Sequence, residues 1–500
     1  MLGLKDKKCL IILEVSERLK ISRFLKILSS GCAIVTKINA FLKFFLIFLR
    51  EFLTFACFCL YIYKKRIIIM LLRLTMQNFL SFYNQTEFDM FPNPKRERFR
   101  NHIYDLEVPL LKMAAIYGAN GAGKTNLVKA LQFLKKFTTK TDFFRFVEFD
   151  DYRFQLKNGN DEPFSLKVEF YEKNYFIYEV DIGKSVSEKL WISGLGEQED
   201  VLIFERFGCE IKGDCVPNVE SSKMLLKKNP YASVLALNEQ FPILDHELIK
   251  DVYNWFKNTL VTVSINSRID RLIELLDSNP KMLEFSSLFM KDLDISDKLT
   301  ISRYEFKDWL NTKRGKIYRN DFAHGGMGDM KNYSVSAHSN RRNEFYLVRK
   351  KEEEYVQEFL FDQLGVDGYK KGMDIDSQSD GTVRLLTLLP LIYEIINMQK
   401  VVAIDEIENS MHPNLVYKLL EYFGRSPSKG QLIFTTHLTK LMDQQNLSRL
   451  DELWIVSKDS GNSTMRSLND FKIHNTINIE NGYLDGRYGG IPKIKQLEAV

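Results

Sequence analysis

Cysteine is the first thing this chain has little of. Six occur in 500 residues, and four of them, Cys9, Cys32, Cys57 and Cys59, lie near the start. Only Cys209 and Cys215 remain for the rest, which excludes a disulfide framework and a cysteine metal pattern and makes a reducing cytoplasm the expected location. Excess charge is lacking as well. The net charge of +5 arises in the first 70 residues, which hold 13 Lys+Arg against 4 Asp+Glu, while the rest holds 57 against 61. The body therefore gives no global charge argument for coating nucleic acid. There is no long heptad pattern, internal repeat or low-complexity tract, so extended coiled-coil arms are not expected.

A clean membrane-spanning run is also missing. Residues Phe41 to Tyr63 are long enough to cross a bilayer, but Lys43, Arg50 and Glu51 interrupt them. Each such charge costs roughly 2.5–3.5 kcal/mol near the middle of a span. The uncharged run Phe52 to Tyr63 is too short to cross alone, and a cleavable signal would begin nearer the start. Three readings of residues 1–69 stand: an anchor, an amphipathic or buried helical extension, or upstream sequence translated from an early start. The third is favoured because Met70 directly precedes Leu71-Leu72-Arg73-Leu74, the expected opening strand of the body. A membrane partner is not expected.

What is present is a phosphate-binding motif. Gly118-Ala119-Asn120-Gly121-Ala122-Gly123-Lys124-Thr125 reads G-x-x-x-x-G-K-T, with an apolar strand before it and helically spaced Leu127, Val128, Leu131, Phe133 and Leu134 after it. The glycines permit tight turns that aim successive N–H groups at phosphate oxygens, and the helix N-terminus adds partial positive charge. Lys124 is expected to reach the β- and γ-phosphates, and Thr125 to ligate Mg²⁺. A Gly-rich turn before an ordinary surface helix is the plainer alternative. The nucleotide can be ATP or GTP on this motif alone, with ATP expected.

The remaining chain reads in blocks. Phe91 to Arg100 is a polar loop rich in basic residues, a solvated hairpin or a phosphate contact. Residues 150–182 read as antiparallel strands, with a turn at Glu172-Lys173-Asn174. Gln155 is a candidate nucleotide-sensing residue or an outward polar strand position. Residues 221–346 read as mainly helical, around Leu272 to Leu276 and Met282 to Phe289. Within them, residues 312–346, with Gly325, Gly326, Gly328 and Arg341-Arg342, predict a mobile loop. Gln378-Ser379-Asp380-Gly381-Thr382 precedes an amphipathic helix over Val383 to Ile396 and offers a second anion cradle. Val401 to Glu406 is an apolar strand ending in two acids. Leu432 to His437 is another, ending in histidine, and the 32-residue spacing between Asp405 and His437 suits neighbouring parallel strands.

Together these motifs resemble an ABC/SMC-type ATPase head. Gly118 to Thr125 match Walker A, Ser379 to Thr382 a variant signature loop, Asp405 and Glu406 Walker B with its catalytic acid, and His437 the switch histidine. Asp405-Glu406-Ile407-Glu408-Asn409-Ser410-Met411-His412-Pro413, Leu450 to Asp459 and Gly482 to Gly489 narrow the resemblance to the OLD-like and abortive-infection AAA-type ATPases, in particular their stand-alone RloA-like members. The resemblance implies a class, α/β, and a P-loop NTPase ABC-type head with an antiparallel β subdomain and a helical insertion. Its expected parts are 70–220 with Walker A and the β subdomain, 221–346 as the insertion, and 347–500 with the signature loop, Walker B and switch histidine.

The resemblance also implies roles. ATP and Mg²⁺ would bind at Lys124, Thr125 and Asp405. Ser379 and Gly381 of a second copy would touch the γ-phosphate, Glu406 would activate water, and His437 would stabilise the transferring phosphate. No TOPRIM nuclease domain fits after Lys495, so a nuclease-like effector would be a separate protein. The resulting expectation is an ATPase, dimeric or higher through ATP-bridged heads, that regulates an anti-phage system. The alternative is a DNA-repair or DNA-maintenance ATPase of the recombination/SMC type, with DNA as a possible partner. A transporter subunit is disfavoured by the variant signature loop and by the run after Asp405.

Overall fold

A computed structural model of the chain describes residues 69–492, apart from 146, 266–271, 325–331, 340–341, 351–352 and 474–477. The readings of residues 1–68 lie outside the described residues, as do Gly325, Gly326, Gly328 and Arg341.

The core sheet contains β1 (Met113–Gly118), β2 (Leu260–Val263), β3 (Val401–Ile404), β4 (Gln431–Thr435), β5 (Leu453–Asp459) and β6 (Asn462–Ser467), in the order β2-β3-β4-β1-β5-β6. All neighbours are parallel except the β5–β6 hairpin. Every residue of β1, β3 and β4 is buried, so these strands are continuously apolar rather than alternating, as two covered faces require. Three helices matter to the site: α1 (Lys124–Thr139), α2 (Asp380–Asn397) and α3 (Pro413–Arg425). Ala114 and Ile116 point toward the layer containing Leu127, Leu131 and Phe133 of α1. Met113, Ala115 and Tyr117 point the other way, toward Leu385 and Leu389 of α2 and Leu419 of α3. The period of two along a strand thus builds two cores, one on each face.

Beyond α1 lies a seven-stranded antiparallel sheet that includes Met70–Gln77, Phe164–Glu172 and Asn174–Ile182. Phe164–Glu172 alternates strictly between buried and half-buried residues, the signature of a sheet with one face on a core. Phe133 of α1 packs edge-on against Phe79 and Phe164, with ring centroids 6.0 and 5.3 Å apart. The fold is therefore α/β, a mostly parallel core sheet covered on both faces, with an antiparallel β subdomain. Residues 149–152 form a short 3-10 turn rather than a strand, and the antiparallel strands begin at Phe164.

Helices, among them Val219–Lys228, Val234–Gln240, Glu247–Asn254 and Lys313–His324, take up most of the described part of the 221–346 block, but strands that the sequence reading did not expect also occur in it. Helices Leu272–Ser278 and Pro280–Asp292 are present, but Leu260–Val263 is an edge strand of the core sheet. Lys298–Glu305, Asn332–Ser339 and Arg342–Lys350 join Glu353–Leu364 and Lys370–Asp374 in a second antiparallel sheet. The expected mobile loop at 312–346 contains helix Lys313–His324 and two of those strands. The physical reason is non-local pairing: Lys298–Glu305 pairs with residues 355–362, and that partnership leaves little local pattern in a polar sequence. Trp309, fully buried, anchors a small core with Phe345, Leu347 and Val356. Its indole N–H donates to Glu358 at 2.8 Å.

Candidate functional site

The phosphate cradle is built where β1 turns into α1. Gly118, at φ 155°, sits so close to β5 that a Cβ would lie 2.5 Å from the Val456 carbonyl oxygen. Gly123, at φ 112°, caps α1 from the left-handed region, and a Cβ there would meet the hydroxyls of Ser81 and Ser463 at 2.6 Å. No side chain caps α1, so its first-turn N–H groups stay available to an anion. The Ala122 N–H donates to the Ala119 carbonyl at 3.1 Å, closing the turn over Asn120 and Gly121. Ser463 donates to the Ala122 carbonyl at 2.6 Å. The loop is thus held from outside by β6.

Asn120, Gly121, Gly123, Lys124, Thr125, Glu406 and His437 line one cavity of about 300 Å³, together with Ser81, Asn126 and Lys458. Lys124 Nζ donates to the carbonyls of Gly118 (2.9 Å) and Ala119 (3.3 Å) and lies 3.0 Å from His437 Nε2. Burial pulls the Lys124 pKa below its ordinary value, while the charges of Glu406, Glu408 and Asp405 oppose that fall. Burial, and then the Lys124 charge, lower the His437 pKa. His437 is therefore a neutral imidazole near pH 7.

The acids are held by strand order. Since β4 lies between β1 and β3, Asp405 faces Thr125 across one strand, and the Thr125 hydroxyl donates to Asp405 Oδ1 at 3.1 Å. Thr435, at the end of β4, donates to the same Asp405 Oδ1 at 2.7 Å and accepts from the Glu406 N–H at 2.8 Å. Glu406 itself has φ 46°, a left-handed conformation that costs a non-glycine residue about 1–2 kcal/mol and is kept only under local constraint. Glu408 Oε1 accepts from the His437 N–H at 2.6 Å, tying the switch segment to the acidic loop. His412 Nδ1 caps α3, accepting from the Asn414 N–H at 3.2 Å, and Pro413 takes the first helical position. The H-P pair is thus a helix start.

An oxygen pair of Thr125 and Asp405 suits Mg²⁺, which takes one or two protein oxygens and fills the rest of its octahedron with water and phosphate. Among the described residues there is no group of three or more His, Cys, Asp or Glu that could hold a metal by itself, so the fit is to a metal carried in with a phosphate ligand.

Ser379 and Gly381 are not brought to this cavity. Ser379 caps α2, its hydroxyl accepting from the Thr382 N–H at 3.1 Å. Gly381 passes so near the acidic loop that a Cβ would lie 2.6 Å from the Ser410 carbonyl. One turn further on, Arg384 has Nε and Nη2 buried with no hydrogen-bond partner among the described residues, within electrostatic reach of Asp405, Glu406 and Glu408. Gln155 does not line the cavity; its amide donates to the carbonyls of Asp150 and Arg153.

Sequence reasoning gave no role to Thr435, Glu408, Lys458, Ser81 or Arg384. Glu408 had a signal, the second acid of the D-E-x-E run. Thr435 had a weaker one, a hydroxyl closing an apolar strand. Lys458 had none, since only the pairing of Val456 with Gly118 carries it to the cavity.

With this geometry in place, comparison with known proteins adds a family. The family described as "AAA domain, putative AbiEii toxin, Type IV TA system" matches residues 113–443. The chain belongs to this family. The match runs from the start of the Walker A strand through His437, so it covers Gly118 to Thr125, Asp405, Glu406 and His437, while Ser81, Lys458 and Ser463 lie outside it. No curated protein matches the chain. Among solved structures, the SMC head domain from Thermotoga maritima is 12% identical, with 80% of this chain and 98% of that one covered and a TM-score of 0.38. The Pyrococcus furiosus Smc head domain with an extended coiled coil, bound to the C-terminal domain of ScpA, is 13% identical, with coverage of 84% and 99% and a TM-score of 0.34. The recombination mediator protein RecF-ATPrS in the RecFOR pathway is 13% identical, with coverage of 80% and 99% and a TM-score of 0.35. For this AAA-domain protein the fold is read from its own strand order and loops. Among the described residues no helix is long and apolar enough to cross a membrane.

Proposed function

We propose that this AAA-domain protein binds and hydrolyses ATP and uses the nucleotide to join two copies head to tail. The observation that supports it is the split of the motif set: Lys124, Thr125, Glu406 and His437 line one cavity, with Asp405 hydrogen-bonded to Thr125 behind it, whereas Ser379 and Gly381 stand outside it. The α1 N-terminus and Lys124 hold the β- and γ-phosphates. Thr125 and Asp405 would hold Mg²⁺, which would supply charge neutralisation at the phosphate oxygens. Thr435 fixes Asp405 and the backbone of Glu406, so the Glu406 carboxylate can orient and deprotonate a water in line with the γ-phosphorus. Neutral His437, its N–H held by Glu408, donates a hydrogen bond to the transferring group. Ser379 and Gly381 of the second copy, at a helix N-terminus whose Ser379 and Asp380 are exposed, complete the site.

The biological role that fits best is the sensor and regulatory subunit of an abortive-infection system of the OLD-like type, acting with a separate effector. The family description, which names a putative toxin of a toxin–antitoxin system, supports it. The test is Glu406→Gln. It should bind ATP, persist as an ATP-bound dimer in size-exclusion chromatography with light scattering, and lose about 10²–10³-fold in turnover. Wild-type turnover in that variant would remove Glu406 from its role.

A further inference from the structure

Exposed cations on this head often have acidic partners. Lys157 sits 3.4 Å from Glu162, Lys184 3.1 Å from Asp161, and Lys418 2.8 Å from Glu421. The segment from Lys95 to Arg100 is different. Lys95, Arg96, Arg98 and Arg100 have no carboxylate within ion-pair distance among the described residues, and Glu97 is the one acid in the segment. Arg96 and Arg98 are held by neutral groups instead, the Asn469 amide oxygen for one and the Gln444 carbonyl with the Gln445 side chain for the other. The nearby carboxylates are already engaged: Asp451 by Arg449 at 2.7 Å and Glu452 by His102 at 2.8 Å.

The loop is also fixed from beneath. Arg449 is 3% exposed, and its guanidinium donates to the carbonyls of Asn93, Arg96 and Arg98 as well as to Asp451. The Asn93 N–H donates to Asp451 at 2.7 Å. With three carbonyls drawn inward, the backbone is set before any ligand arrives, which lowers the ordering cost of binding. Lys95, Arg96, Glu97 and Arg98 line an open cavity of about 310 Å³ together with Gln444 and Ser448, three cations against one acid. The buried guanidinium has every donor committed, so no buried donor converges on a single ion. Three cations spread along a fixed rim, with Arg100 next in the chain, instead match several phosphates of one polymer.

We propose that the Lys95–Arg100 loop is a binding surface for the phosphate backbone of a nucleic acid. The charge argument is local: the body as a whole is slightly acidic, and this loop stands out against it. What binding would control rests on the regulatory reading above; the binding itself does not.

The test uses the full chain and fluorescence anisotropy with a labelled 30-base-pair DNA duplex, a 30-nucleotide single strand and a Glu-rich peptide, between 50 and 200 mM KCl. Lys95→Ala/Arg96→Ala/Arg98→Ala is compared with Lys227→Ala/Lys228→Ala/Lys281→Ala, which removes the same charge elsewhere. The loop variant should lower the salt slope for duplex by about 3, at roughly 0.9 per phosphate contact, and weaken binding at least tenfold at 50 mM, with the control near wild type. Lys95→Glu alone, at an exposed position, should move both in the same direction. ATP turnover without nucleic acid should be unchanged in the loop variant, which separates this surface from the ATP site. Equal slopes for wild type and loop variant would overturn the proposal. So would binding of the acidic peptide with neither nucleic acid bound, which would point to an acidic protein partner.

Discussion

The two ends of the ATP machinery on this chain are finished to different degrees. At the end of β3, Asp405 is 1% exposed and takes hydrogen bonds from Thr125 and Thr435, and the Glu406 backbone is locked by the same Thr435. At the start of α2, Ser379 and Asp380 are exposed and the Ser379 side chain serves its own helix. The first end has its partners within the chain, and the second presents an N-terminus outward. A site with one end complete and the other open is what shared catalysis between two copies requires.

The largest effect that can break this comparison is complementation. Lys124→Ala should lose turnover by about 10²-fold or more, because among the described residues it is the one buried cation that lines the cavity. Ser379→Arg should lose as much while still binding nucleotide. An equal mixture of the two should recover about a quarter of wild-type turnover, because half the pairs are mixed and each mixed pair carries one intact site. If Ser379 served its own chain, the mixture would stay as inactive as its components.

Next in size is the lock on the acids. Thr435→Val keeps the shape and removes the hydroxyl that donates to Asp405 and accepts from Glu406. It should cost about 1–3 kcal/mol in urea unfolding and lower kcat about tenfold while ATP affinity changes less. Unchanged stability and kcat would mean that the acids hold their places without β4.

A smaller effect follows from His437. Burial and the neighbouring Lys124 charge hold its pKa below the ordinary 6.5, so the unfolded chain binds that proton more tightly than the folded one. Stability from this group is present above pH 6.5 and is lost as pH falls from there toward the lowered folded value. Urea midpoints at pH 7.5 and 5.5 should therefore differ less for His437→Gln than for wild type. An equal difference would deny the lowered pKa.

The smallest effect separates capping from shared catalysis. Ser379→Gly should cost only a few tenths of a kcal/mol in stability, since glycine is a tolerable N-cap, yet turnover should fall well beyond that. A loss of turnover no larger than the loss of stability would reduce Ser379 to a helix cap.

Most of the site was legible because its signals are local. Gly118 to Thr125 is a contiguous loop whose conformation its glycines dictate. Asp405-Glu406 and His437 each end an apolar run, and such runs read as buried strands wherever they occur. Ser379 was legible as a cap. What stayed hidden depended on contacts distant in sequence. Lys458 reaches the cavity only because β5 lies beside β1. Thr435 matters only because β4 separates β1 from β3. The second antiparallel sheet was missed because Lys298–Glu305 finds its partner fifty or more residues away and shows weak alternation of its own.

The sequence alone determined that this chain carries a nucleotide loop, two acids and a histidine at strand ends, because backbone conformation and burial impose those patterns on neighbouring residues. The tertiary structure decided which of them meet. Sheet order gathers Lys124, Thr125, Glu406 and His437 around one cavity, sets Asp405 behind Thr125, and leaves Ser379 and Gly381 outside it. Strand adjacency is a choice among non-local pairings, and it is made by the burial of whole faces rather than by any single stretch of chain.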